Sequence, residues 1–366
     1  RNNDEVLIFY RQGKTLIENG FDVSYIVSDN IKNEIIENIN VKSTGFKPSG
    51  YIKRILLAPF YMLPKLLKEN ADIYQTSSVD FIFICLILKL LNKKVIFNLR
   101  EEHPYTIKTN PKIPGFIKNH SIWVLEKLMN FTFKHLDIVF TVTDDILYYL
   151  KNKWKLNNTY VLTNFPPINR NYELTYEDYS SRENIILYFG TVYEISRQEV
   201  FFKALESVEK THDVKYCIAG KFPSEKYYNY IKTQPYWTKV KFINGFNKND
   251  LQLFFQESII CNVLKDFSET SCPNGSLGVI KIFESMEAGL PIICSDVPIY
   301  RMIIEEYNCG ILVNPNDEKQ IANAIRFLID NKKEAYNMGK NGRKAVIEKY
   351  SWEIQSELYL NQINKL

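Results

Sequence analysis

Hydrophobic residues in this chain fall in short continuous runs rather than in alternation. They occupy 22–27, 71–76, 94–99, 137–142 and 159–163. After a gap they return at 185–190, 214–220, 240–244, 258–264, 291–295 and 310–313. Runs of this length, bounded by polar or turn residues, are the pattern of strands buried on both faces of a parallel sheet. The stretches between them place apolar residues at helical spacing. Strand and helix in alternation predict doubly wound α/β sheets, and the gap predicts two of them. The break lies in 164–184, a polar stretch with two prolines and no sustained period. The expected organisation is a Rossmann-like domain over 1–165, a second over 166–350 and a final helix over 351–366.

The opening, 4–20, has helical spacing at Val6, Phe9, Gly13, Leu16 and Ile17 and ends on Gly20, a suitable residue to follow a helix. A doubly wound domain begins with a strand feeding its first helix, so the pattern predicts a strand and loop preceding Arg1. A second helical stretch, 51–70, carries Pro59 and Pro64 and is expected to kink there. It sets Lys53, Arg54, Lys65 and Lys68 among Leu, Phe, Tyr and Met, a composition suited to peripheral contact with an anionic membrane.

Composition narrows the chemistry. Of 366 residues, 45% are hydrophobic and 24% charged, and 14 Gly with 14 Pro are too few for a collagen-like or low-complexity chain. A net charge of +4 gives no reason to expect nucleic acid as a partner. The six cysteines form no CxxC pair and sit mostly inside apolar runs, as Cys261 and Cys294 do. That usage suits a reduced, cytoplasmic chain. The four histidines are scattered without zinc spacing, so no metal is expected. The longest uncharged apolar run, 81–88, is far shorter than the ~20 residues that cross a bilayer.

The most informative segment is 273–296, PNGSLGVIKIFESMEAGLPIICSD. Asn274-Gly275 reads as a turn, Ser276 as a helix cap, and the helix is expected to run to about Ala288 before Gly289 and Pro291 stop it. Lys281 and Glu284 share one face near its start. Open backbone N–H groups at a helix start, with a lysine beside them, suit a phosphate. A carboxylate one turn on can accept hydrogen bonds from a ribose diol.

Lys281, Glu284, Met286, Ala288, Gly289 and Pro291 resemble the nucleotide-sugar motif of GT-B glycosyltransferases of the family 4 type, the group 1 glycosyl transferases. The stretches 309–325, 349–359 and 4–23 are similar to later and earlier segments of the same family, so the resemblance runs over almost the whole chain. It implies two Rossmann-like domains facing each other across a cleft, with a C-terminal helix crossing back to the first. It implies a retaining transfer from a nucleotide-sugar, UDP-linked first and GDP-linked second, to a glycan or lipid-linked acceptor in surface polysaccharide synthesis, with no cofactor and no metal. Glu284 then matches the ribose-binding glutamate, and Gly190, Gly278, Val279 and Ile280 the backbone around the donor. Arg197 and Lys281 match the cations on its diphosphate.

Besides Ser276, which stands where the longer form of the family's motif carries an acid, the chain departs from the family in two places. Thr191 stands where a second basic residue often follows the glycine. In 95–106, VIFNLREEHPYT, Arg100 occupies the usual histidine position, which leaves Glu101 and His103 to meet the acceptor and Arg100 to contact a sugar hydroxyl or phosphate. These departures are what a non-catalytic sugar- or partner-binding subunit of the same fold would also show. An epimerase or phosphorylase of that fold is the remaining alternative.

Overall fold

The computed structural model describes residues 6–49, 51–100, 115–268, 270 and 272–366. The chain divides into two compact units, Arg1–Asn164 with Ile354–Leu366, and Phe165–Glu353.

The first unit opens with a π-helical stretch, Val6–Gly13, that tightens into an α-helix over Lys14–Glu18. Strands β1 (Ser24–Val27), β2 (Glu34–Ile36) and β3 (Ile39–Ser43) follow and form a small sheet in the order β1-β3-β2. The hydrophobic runs predict β1 but miss β2 and β3. These two form an antiparallel hairpin, Ile36 opposite Ile39, closed by Glu37 and Asn38 at φ +50° and +63°. Two successive left-handed residues make the tight turn whose twist fits paired strands. Only alternate residues of β3 are buried, Ile39 and Val41 among them, and β2 is mostly exposed, so Glu, Asn and Lys interrupt the apolar residues and hide the strand signal.

Strands β4 (Ile73–Thr76), β5 (Lys94–Leu99), β6 (Ile138–Thr141) and β7 (Thr159–Val161) form a parallel sheet in sequence order. Between β3 and β4 the helical stretch breaks at Leu57 into Tyr51–Leu56 and Ala58–Glu69, two residues before Pro59, while Pro64 is carried inside the second helix. Phe97, Phe133, Trp154 and Leu150 anchor the core of this unit.

A buried chain of amides runs through the same unit. Gln12 Nε2 donates to Asn98 Oδ1 at 3.1 Å, and Asn98 Nδ2 donates back to Gln12 Oε1 at 3.2 Å. Gln75 Nε2 donates to Gln12 Oε1 at 2.6 Å, and the fully buried Tyr359 hydroxyl donates to Gln75 Oε1 at 2.7 Å. The opening helix, β4, β5 and the C-terminal helix are thereby tied by one polar network that satisfies its own members.

The second unit is a six-stranded parallel sheet, β8 (Ile185–Phe189), β9 (Lys215–Gly220), β10 (Val240–Asn244), β11 (Ile260–Val263), β12 (Ile292–Ser295) and β13 (Gly310–Val313), in the order β10-β9-β8-β11-β12-β13. Its central strands are buried on both faces, as the continuous runs require. The segment entering this unit is held by Arg343. Its guanidinium ion-pairs with Glu287 at 2.8 Å and donates to the carbonyls of Asn169 and Tyr172 at 2.6 and 3.0 Å. Glu287 also accepts from the Asn169 N–H at 2.9 Å, and both side chains of the pair are largely buried.

Replacing Tyr359 with Phe leaves Gln75 Oε1 without its donor in a buried setting and should destabilise the first unit by about 1–3 kcal/mol. Urea unfolding of wild type and variant checks this. Arg343→Met strands the Glu287 carboxylate and frees two carbonyls, with an expected loss of about 3–5 kcal/mol read by the same unfolding curves.

Candidate functional site

From β8 the chain steps to β9 and β10 on one side, and from β11 to β12 and β13 on the other. The loops leaving the carboxyl ends of β8 and β11 therefore part in opposite directions, and a crevice between such loops is where ligands bind in open α/β sheets. The chemistry-bearing residues of this unit collect there.

Gly190 ends β8 at φ +90°, a conformation that glycine adopts without strain, and its N–H donates to Ala219 O at 2.8 Å. A β-carbon at Gly190 would lie 2.8 Å from Lys281 Cε, so the absent side chain makes room for the lysine. Lys281 Nζ sits 3.8 Å from the ring centre of the buried Tyr188 and 3.4 Å from Thr191 O. The Tyr188 hydroxyl itself donates to Thr191 O at 2.9 Å. The positive charge absent from the side chain at 191 is thus brought to the Thr191 backbone from the neighbouring helix.

The second arm is the loop after β11. Lys265 is fixed by its backbone, its N–H donating to Ser295 Oγ at 2.8 Å and its carbonyl accepting from the same hydroxyl at 2.7 Å. Its Nζ lies 4.9 Å over the Phe267 ring. Burial lowers the Lys265 pKa. Burial, reinforced by Lys265 and opposed by Glu284, pushes Lys281 down to about 7. Neither lysine forms an ion pair among the described residues. Two lysines are thus crowded at one place, with Glu284, one turn beyond Lys281, as the carboxylate that acts on Lys281.

Asp266 does the opposite work. Burial alone would raise its pKa, but hydrogen bonds from Asn316 (2.9 Å), the Ser268 hydroxyl and N–H (2.7 and 3.0 Å) and the Arg197 guanidinium outweigh it and hold the carboxyl well below its usual range. Arg197 makes two of these contacts, from Nε at 3.1 Å and from Nη2 at 2.5 Å. Its backbone is left-handed, φ +49°, where the helical turn Glu194–Ser196 gives way to the helix Gln198–Val208. The start of that helix is pinned by buried polar groups. Gln198 Oε1 accepts from the Tyr216 hydroxyl at 2.7 Å, which in turn accepts from Asn262 Nδ2 at 2.8 Å. The guanidinium is consequently a positioned group, part of whose charge Asp266 already balances.

The helix carrying Lys281 and Glu284 is Ile280–Glu287, three residues shorter at its start than the pattern predicts. Ser276 is not its cap. The Ser276 hydroxyl accepts from Gly278 N at 3.0 Å and its carbonyl from Val279 N at 3.2 Å, so it closes a turn of its own after Gly275 at φ +94°. Serine competing for local backbone donors in this way shortens helices. Gly278 and Val279 thus enter the site with their N–H groups already bonded, whereas Ile280 opens the helix after Val279, which caps with no side chain. Glu284 is half-buried one turn beyond Lys281. Upstream, Gly275 N donates to the carbonyl of Cys272 at 3.0 Å; Cys272 is half-buried, whereas the other five cysteines are buried.

Gly190, Arg197, Gly278, Val279, Ile280, Lys281 and Glu284 all belong to this one end of the second sheet. Arg100 belongs to the first unit, just past β5, where its Nη2 donates to Ser77 Oγ at 2.9 Å. Glu101 and His103 lie outside the described residues. Sequence reasoning missed Lys265, Asp266 and Asn316. The available signal was position: Lys265 and Asp266 directly follow the run 258–264, at the carboxyl end of a central strand. Among the described residues no cluster of three His, Cys, Asp or Glu side chains is placed to hold a metal ion.

Residues 177–345 match the family Glycosyl transferases group 1. An uncharacterized glycosyltransferase of Methanocaldococcus jannaschii is 26% identical over 178 residues, which take in 47% of this chain and less than half, 42%, of that protein. Among solved structures, sucrose-phosphate synthase from Thermosynechococcus elongatus superposes with a TM-score of 0.66 at 17% identity, over 98% of this chain and 92% of its own. Anabaena HepE in complex with UDP-glucose gives a TM-score of 0.67 at 12% identity, over 94% of this chain and all of its own. The second unit is therefore a group 1 glycosyl transferase domain, and the chain as a whole has the fold of the GT-B glycosyltransferases.

Proposed function

We propose that this protein transfers a sugar from a nucleoside diphosphate sugar, UDP-linked first and GDP-linked second, to a glycan or lipid-linked acceptor in surface polysaccharide synthesis, with retention of anomeric configuration and without a metal. The observation that carries the reading is the crowding of Lys281 and Lys265 at the switch point of the second sheet, beside Gly190 and the start of the helix Ile280–Glu287. A diphosphate supplies the negative charge that such a site lacks. HepE, which shares the fold, has been solved with UDP-glucose, and that is consistent with a uridine donor.

In this reading Glu284 accepts from the ribose hydroxyls. Lys281, Lys265 and Arg197 stabilise the charge that grows on the diphosphate as its bond to the sugar breaks, in a site only partly open to water. Asp266 keeps Arg197 oriented and tempers its charge, and Lys281 does at 191 what a second basic side chain does in relatives. Arg100, Glu101 and His103 stay assigned to the acceptor, with Arg100 as a binding group only, since a guanidinium does not act as a base near neutral pH.

Calorimetric titration with UDP, GDP, ADP and CMP should show saturable binding of one nucleotide by the wild type and none by Glu284→Ala. Donor-dependent nucleotide release should fall at least about tenfold in Glu284→Ala and in Arg197→Ala, since each loses hydrogen bonds to a charged group worth about 1.5–3 kcal/mol. Turnover indifferent to both substitutions would exclude this site.

The lysine pair adds a pH signature. Lys281 binds an anion only when protonated, and in the free protein it loses its proton at about pH 7. An anion raises that pKa, so binding takes up a proton above pH 7, and affinity for nucleoside diphosphate should fall by up to about tenfold per pH unit from 7 toward the pKa of the complex. Calorimetry in buffers of different ionisation enthalpy measures the proton uptake, which Lys281→Met should abolish. Stability shifts the other way. A lysine whose folded pKa lies below its unfolded one destabilises the fold below about pH 7, and that penalty is relieved as pH rises toward the unfolded value.

A further inference from the structure

The first unit exposes far more large apolar surface than its core geometry requires. In the second unit, exposed residues such as Tyr193, Leu253, Met302 and Phe327 are scattered one to an element, which is ordinary. In the first unit they form stripes. The helix Ile82–Leu90 and the residue after it expose Phe83, Ile87, Leu90 (83% exposed) and Leu91, at the i, i+4, i+7, i+8 spacing of one helical face. The helix Gly115–His135 exposes Phe116 (88%), Trp123 (57%), Val124 and Phe131 along one stripe, with His120, Lys127, Lys134 and His135 interleaved. Its other face is spent on the core through Met129, Phe133 and Leu136. Further upstream the helix Ala58–Glu69 exposes Phe60, Tyr61 and Leu67 beside Lys65 and Lys68.

The two striped helices are the crossovers from β4 to β5 and from β5 to β6. Those strands are parallel and adjacent in sequence order, so right-handed crossovers put both helices on one face of the sheet, and the helices pack against each other. Their outer stripes consequently look away from the core together. The charge on these segments is one-sided. Residues 51–69, 82–94 and 115–135 hold ten Lys and Arg against two acids, and of these cations Arg54 pairs with Asp80, and Lys89 and Lys94 with Asp137, just outside the segments. Both acids are turned to lysines: Glu69 to Lys42 at 2.6 Å and Glu126 to Lys153 at 3.1 Å. Among the described residues, no acid of these segments is exposed.

Aromatic and leucine side chains interleaved with lysine, free of exposed acid, are the surface of an element that lies in the headgroup region of an anionic bilayer. A protein partner with an apolar patch would not account for the one-sided charge, and a second copy would set lysines against lysines. Among the described residues no helix is long and apolar enough to span a membrane, so the contact is peripheral. We propose that the outer faces of Ile82–Leu90 and Gly115–His135 dock this protein on a negatively charged lipid surface, with Phe116, Trp123 and Phe131 inserted and Lys127 and Lys134 at the headgroups, and with the helix Ala58–Glu69 contributing its lysines. The proposal does not depend on the donor-site reading.

The test uses the full chain with vesicles of phosphatidylcholine alone and of phosphatidylcholine and phosphatidylglycerol in equal parts. Flotation should carry the protein with the mixed vesicles and not with the neutral ones, and high salt should release it. Lys127→Gln with Lys134→Gln should weaken partitioning about tenfold or more. Trp123 is the only exposed tryptophan among the described residues, so brominated lipid should quench the wild type more than Trp123→Phe, at equal vesicle occupancy. These positions are exposed, and unchanged thermal melting confirms that the variants fold. Failure to float with anionic vesicles, binding insensitive to the lysine substitutions, or self-association without lipid that Phe116→Ser abolishes would each overturn the proposal.

Discussion

Strands β8 and β11 lie side by side although β9 and β10 intervene between them in the chain. That single pairing places everything else in the second unit. It brings the end of β8, with Gly190, against the end of β11, with Lys265 and Asp266, and sends the connecting chain away on both sides. A crevice is left that no side chain of the sheet has to fill. The helix that follows β11 then presents Lys281 to Gly190, where a β-carbon would crowd the end of the lysine side chain. Were β11 paired elsewhere, the same residues would be ordinary surface lysines and a surface arginine.

The cations at this end of the sheet are handled in two ways, and the difference bears on what each can do. Arg197 is held by a buried carboxylate that is itself supported by Ser268 and Asn316, so its orientation is fixed at the cost of part of its field. Lys281 rests against the Tyr188 ring and the Thr191 carbonyl and has only the field of Glu284 to oppose its burial, so its charge is less secure. An arginine is suited to the first setting because it stays charged, and a lysine to the second because it can give up its proton when no anion is near. The two residues are not interchangeable parts of one positive patch.

The buried strands were legible in the sequence because burial on both faces leaves a continuous apolar run, and every run read as a strand became one, while the apolar run 81–88 is helical. The hairpin of β2 and β3 was not, since a strand pair with one wet face writes no such run. Its turn, Glu37-Asn38, also lacks the glycine that announces this geometry. Of the site, Lys281, Glu284 and Gly190 could be found because a motif spaces them along the chain. Lys265 and Asp266 could not, because what makes them functional candidates is strand order, which no local pattern encodes. Ser276 misled for a related reason: a serine before a helix and a serine closing a separate turn read alike until the backbone is seen. The helix Gly115–His135 defeats periodicity altogether, since apolar residues on both its buried and exposed faces blur any single stripe.

The distribution of sulfur has a practical side. Burial pushes the thiols of Cys85, Cys261 and Cys309 up to about 12 and that of Cys217 up to about 11, and raises Cys294 well above the ordinary range. None of these five presents a thiolate at neutral pH, and none faces solvent. Cys272 stands apart, half-buried in the loop that turns at Gly275 into the helix of Lys281 and Glu284. A maleimide dye or spin label added to the unmodified protein therefore has one preferred address, and it lies on the loop that leads into the helix of Lys281 and Glu284.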